Sequence, residues 1–203
     1  MNGEIMASSR YLIRLYFQTK IKYQCSRSKI DKLLSIANFI SIKQGNQMFN
    51  ETMIVNQCGT GFPIIAWVFR EDIMDGINED FNIIDIDSID ENAYYPEFYE
   101  SDYPIEDKKD LLKNIFMRFG STSTKELGLQ INEFVDEISM TKDDFHRPII
   151  DYEKAKEFFQ NDEMLEKYKD NKIISFIKEF SKVEKSKEVC NKMRVKVLKS
   201  KGN

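Results

Sequence analysis

One histidine, three cysteines and four prolines among 203 residues close off several readings at the outset. Cys25, Cys58 and Cys190 are odd in number and far apart, with no CxxC and no Cys/His spacing. Neither a disulfide framework nor a zinc site is expected, and the thiols read as reduced side chains in or near a core. Four prolines and eight glycines are too few for repeats or extended linkers. No apolar run reaches the roughly 18 residues of a membrane span. The opening MNGEIMASSR lacks the basic-then-apolar order of a signal peptide, so a cytoplasmic protein without a membrane segment is expected.

What is present is ordinary globular material with an uneven charge distribution. Apolar residues make up 41%, with 15 Phe and 9 Tyr. A chain of this length folds as one domain, or one with an appendage, and buries roughly 70% of its unfolded surface. The net charge of −4 hides a segregation: residues 1–50 carry eight Lys/Arg against two acids, and residues 166–201 carry twelve against five. Between them, residues 71–107 carry fourteen Asp/Glu and no Lys or Arg. Such a layout is either folded against itself or offered to a partner of opposite charge.

Hydrophobic periodicity predicts a mostly helical domain of six or seven helices with a little sheet. Residues 8–22 read as a helix capped by Ser8 or Ser9, with Tyr11, Leu12, Leu15 and Tyr16 on one side. A second helix starts at Ser28, whose S-x-x-D pattern to Asp31 is a near capping box, and runs to Gly45 through Ile30, Leu33, Leu34, Ala37 and Ile40. MFNETMIV is short and β-compatible, and Pro63 can open the helix that follows. Leu111, Leu112, Ile115, Phe116 and Phe119 mark a helix ended by Gly120. Ser123 with Glu126 is a capping box for a stripe of Leu127, Ile131, Phe134, Val135 and Ile138. Thr141 with Asp144, and Asp151, read as two further helix starts. The last forty residues read as a basic amphipathic helix through Ile173, Phe176, Ile177, Phe180 and Val183, then a short strand or frayed tail.

Four stretches invite a chemical reading. Gly59-Thr60-Gly61 follows a β-like run, but a Walker loop needs a lysine for the outer phosphates, and none stands between Lys43 and Arg70. A dinucleotide loop needs a third glycine and a ribose-binding acid in register, and neither is there. Gly59 and Gly61 are therefore structural, a left-handed or close-packed turn with Pro63 behind it, and Phe62 is the residue expected to touch a partner. Asp85, Asp87, Asp90 and Glu91 break the calcium-loop pattern at its fifth and sixth positions. Asp143, Asp144 and His146 have no second His or Cys beside them and no flanking signature of a nucleophile, so no catalytic residue, metal or cofactor is expected. The segment around Tyr94, Tyr95, Phe98, Tyr99 and Tyr103 mixes hot-spot aromatics with carboxylates. Either it folds onto the domain or it binds a protein partner with a basic surface. The basic ends leave nucleic acid open as a further partner.

The order of the pieces is similar to a known family. KIDKLLSIANFISIKQGNQMFNETMIVNQCGTGFP resembles the hallmark region of the SocA-like, or Panacea, antitoxin domain, also found in phage-associated GepA-type proteins. Ile30, Lys32, Leu33, Leu34, Ala37, Phe49, Glu51, Gly59 and Pro63 match its helix, its turn into a β element and its glycine–proline loop. Phe119-Gly120, Glu126-Leu127 and DYEKAKEFF match its later elements. Asn56 stands where the family has tryptophan, and Thr60 where it has proline. The resemblance covers roughly residues 8–160; a mainly α (α+β) domain is expected over residues 1–160, with the acidic aromatic segment 71–107 as an insertion and the basic amphipathic helix of 161–203 as an extension. The resemblance implies a non-enzymatic antitoxin that neutralises its toxin by direct complex formation. The alternative is a phage-encoded inhibitor that uses the acidic segment to block a basic or nucleic-acid-binding site on a host protein.

Overall fold

In the computed structural model, the residues described are 3–19, 21, 25–56, 59–63, 65, 105–141 and 147–181. They form a mainly helical fold with a small antiparallel sheet. In chain order the elements are α1 (Gly3–Phe17), α2 (Arg27–Lys43), β1 (Ile54–Asn56), β2 (Gly59–Gly61), α3 (Glu106–Phe119), α4 (Thr124–Asn132), α5 (Val135–Ile138), β3 (Ser139–Thr141), β4 (Pro148–Ile150), α6 (Tyr152–Gln160) and α7 (Asp162–Glu166). A further helix, α8, covers residues 172–181. Among the described residues, no helix is long and apolar enough to cross a membrane.

The sheet has the order β2-β1-β4-β3, with every pairing antiparallel. Ile54 pairs with both Gly61 and Ile149, so β1 joins the early half of the chain to the β3–β4 hairpin. Helical spacing conceals this hairpin in the sequence. Thr141, expected to start a helix, instead closes β3 opposite Pro148. Pro148 is tolerated because it is the first residue of its strand.

The organising element is α2. It touches α1, α3, α4, α6 and β2 and is buried on nearly all sides, from Lys29 to Ile42. A helix buried all round lies in the middle of a core and not on its surface. Its cap is Ser26, whose hydroxyl accepts from the Lys29 N–H, two residues before the expected Ser28. In α1, Ser8 and Ser9 are buried mid-helix residues and not caps, and the Ser9 hydroxyl donates back to the Ile5 carbonyl at 2.7 Å. A back-bond of this kind satisfies a buried serine inside a helix, a use that local sequence does not separate from capping.

Later caps follow the sequence. Ser123 accepts from the Glu126 N–H and Asp151 from the Lys154 N–H. The expected stripe Leu127, Ile131, Phe134, Val135 and Ile138 is wholly buried, but the helix breaks at Glu133–Phe134. Phe134 there joins Phe39, Phe158 and Phe159 in an aromatic cluster with ring centroids 5.1–5.9 Å apart. Edge-on and offset contacts of this kind add to plain area burial.

Residues 161–181 belong to this same core. Leu165, Ile173, Ile174 and Ile177 are buried in it, and Phe176 meets Phe119 of α3 edge-on at 5.2 Å. Asn171, 3% exposed, makes the junction. Its Oδ1 accepts from the Ile173 and Ile174 N–H groups, capping α8, while its Nδ2 donates to the Gln130 carbonyl at 2.7 Å and Glu133 at 2.8 Å. Asn171→Ala is expected to cost about 2 kcal/mol, from the lost cap and the lost donor to the part-buried Gln130 carbonyl. Urea denaturation should read this loss. Asn171→Asp should fall between the two, since it keeps the cap and repels Glu133.

Candidate functional site

Lys29, Lys32, Ser35 and Asn38 of α2 sit where water cannot reach them, so they must find partners inside the protein. Two neighbours, Asp31 and Lys32, grip β2. The Lys32 ammonium donates to the Thr60 carbonyl at 2.8 Å, and Asp31 Oδ1 accepts from the Phe62 N–H at 3.0 Å. About two turns further on, Asn38 Oδ1 accepts from the N–H groups of Met48 and Phe49 at 3.0 and 3.2 Å. Both ends of the 46–62 segment thus hang from one helix.

The two glycines make room for this grip. Gly59 has φ +104°, the left-handed region, and a Cβ there would lie 3.2 Å from Lys32 Cε and 3.3 Å from the Gly128 backbone of α4. A Cβ on Gly61 would lie 2.9–3.0 Å from the Asp31 carboxyl atoms. Gly59-Thr60-Gly61 is a strand, not the turn the sequence led us to expect, though a left-handed and a close-packed glycine are both present. Phe62 ends it with its ring edge-on to Phe49 at 5.4 Å.

Enclosure moves the charges of this cluster. Burial pushes the Asp31 carboxyl up to about 7 against the pull of the Phe62 N–H, Lys32 and Arg27. The residue as a whole is only partly buried, but its carboxyl is the part packed against Gly61. Lys29, 1% exposed, is pushed down to about 8 by burial, with Glu126 and Cys25 pulling the other way. Burial also raises the Cys25 thiol and the Tyr16 hydroxyl. Tyr16 donates to the Gly120 carbonyl at 2.9 Å. The Thr60 hydroxyl, fully buried, has no hydrogen-bond partner among the described residues. Chemically the cluster is a clamp that turns the Asp31 carboxyl and the Lys32 ammonium onto backbone groups of β2 and of Phe62 just after it.

The sequence-expected site residues fare differently. Gly59 and Gly61 take the structural roles expected of them, and Pro63 follows at an exposed position. Phe62 is a correction: it is 2% exposed and packed in the core, so its ring cannot meet a partner while the fold is closed. Tyr94, Tyr95, Phe98, Tyr99, Tyr103, Asp85, Asp87, Asp90 and Glu91 lie outside the described residues, as do Asp143, Asp144 and His146. Local pattern assigned Asp31 to a capping box and passed over Lys29 and Asn38. The available signal was that charged and amide residues interrupt a helix whose apolar positions already run round it.

No family model, curated protein or solved structure matches this chain.

Proposed function

We propose that this chain is a binding protein of the antitoxin type, acting without catalysis by forming a direct complex with a toxin encoded beside it. The observation that carries the reading is the convergence of the residues on which the Panacea resemblance rests. Lys32 bonds the carbonyl next to Gly59, Phe49 packs on the residue before Pro63, and Ile30, Leu33, Leu34 and Ala37 bury the helix that carries the clamp. Side chains separated along the sequence thus serve one helix-to-strand unit, as expected of a scaffold that holds a binding surface. Fold-level likeness does not name the target, so the partner must be found by experiment.

Co-expression with the neighbouring gene is the test. The neighbour should arrest growth alone, growth should recover when this chain is present, and the two should copurify. A neighbour that is harmless alone, or a rescue with no complex at micromolar concentration, removes the reading.

A further inference from the structure

Beside the α2–β1 connection, the start of α1, the end of α2, the first half of α3 and α8 enclose an open groove of about 640 Å³. Three features of its lining bear on what it takes. The first is charge. Among the described residues its only lining cation, Lys108, is held by Glu4 at 2.9 Å and lies over the Phe49 ring at 5.9 Å. Setting that pair aside leaves Asp107 and Asp110, both exposed and neither in an ion pair among the described residues. They stand three apart on one helix, close enough to repel each other mildly. Asp107 also ends the run 71–107 that holds fourteen acids and no Lys or Arg, so that run brings no cation to it.

The second feature is hydrogen bonding. Gln44, Asn46, Gln47 and Asn50, from the end of α2 and the segment after it, form a wall of amides in the lining. Each side-chain amide offers donors and an acceptor, the set that an extended backbone needs. This wall is held in place, because Asn38 fixes Met48 and Phe49 from behind. The third feature is apolar: Met48, Leu111 and Phe180 contribute hydrocarbon and an aromatic ring to the same lining. Long cationic side chains lay their stems on such surface while their heads reach carboxylates.

We propose that this groove docks a short, extended, lysine- or arginine-bearing segment of a protein partner. The amide wall takes the segment's backbone, Asp107 and Asp110 take its cationic heads, and the apolar surface takes their stems. An anionic polymer such as nucleic acid does not fit this charge. The inference stands whether or not the partner is a toxin, because the groove's chemistry makes no use of that reading.

The test uses the full chain and a labelled peptide of alternating lysine and leucine, with a glutamate-for-lysine peptide as control. Fluorescence anisotropy at about 50 mM salt should show saturable binding of the lysine peptide and none of the control. The Asp107→Asn/Asp110→Asn variant should weaken binding about five- to tenfold, as should salt raised to about 300 mM. Peptide should also shift the side-chain amide NMR signals of Gln44, Asn46, Gln47 and Asn50. Equal binding by the double variant, unmoved amide signals, or no binding at millimolar peptide each overturns the proposal. So does peptide binding only after Lys192, Lys196 and Lys199 are replaced by glutamine, since the occupant is then the chain's own C-terminal segment. Because no toxin enters this assay, its failure is separate from failure of the co-expression test.

Discussion

Gly59→Ala is expected to destabilise the protein by about 3 kcal/mol, the sum of a backbone cost and a packing cost. At φ +104° an L-residue is strained whatever surrounds it. The new methyl group would then stand 3.3 Å from the Gly128 backbone and 3.2 Å from Lys32 Cε. The backbone contact cannot swing aside as a side chain can, so either β2 or α4 must shift. Moving β2 lengthens the Lys32–Thr60 bond, which is 2.8 Å and buried. Gly45→Ala separates the two costs. Gly45 has φ +92°, but its Cβ would meet only the Gln160 amide at 3.9 Å, so about 1 kcal/mol is expected from the backbone alone. Equal losses at the two glycines, read by urea denaturation, would remove the packing half of the argument.

Asp31→Asn is expected to leave stability nearly unchanged at about pH 4 and to raise it by on the order of 4 kcal/mol at about pH 8. The sign follows from the direction of the shift. Burial raises the folded carboxyl to about 7 from an ordinary value near 4, so the folded state holds a proton that the unfolded chain has released. That contribution is complete below the unfolded value and is lost as pH climbs through about 7, at roughly 1.4 kcal/mol per unit. Asparagine stays neutral and can still accept from the Phe62 N–H, so it escapes the loss. Lys29 behaves in the opposite sense. Its folded value falls to about 8, so its contribution is present above the ordinary lysine range and lost as pH falls through 8. Between about 7 and 8 both groups are charged in the fold, and the wild-type protein has the benefit of neither. Denaturation curves of wild type and Asp31→Asn measured from pH 4 to 8 decide the matter: curves that run parallel would sink the assignment.

These two sites also show how far local reading reaches. The left-handed role of Gly59 was legible because glycine is the residue that takes such a φ without strain, whatever lies nearby. The Ser123 and Asp151 caps were legible because cap and target stand three residues apart. The stripe from Leu127 to Ile138 was legible in burial, though not in its break at Phe134, because the aromatic cluster draws on Phe39 and Phe159 from distant segments. Asp31 misled for the complementary reason. Its pattern with Ser28 is a local one, whereas its partner is the Phe62 N–H, thirty-one residues away.

By itself the sequence determined the helical class, most helix positions, the later caps and the glycine geometry, since all of these follow from contacts within a turn or two of the chain. Only the tertiary structure decided that α2 lies at the centre, that Asp31 and Lys32 turn inward onto β2, that Phe62 is core and not surface, and that α8 completes the same core. It also decided the β3–β4 hairpin and the groove beside the α2–β1 connection. Each of these depends on which distant segment removes water from a given side chain, and burial of that kind is a property of the packed chain and not of any local pattern.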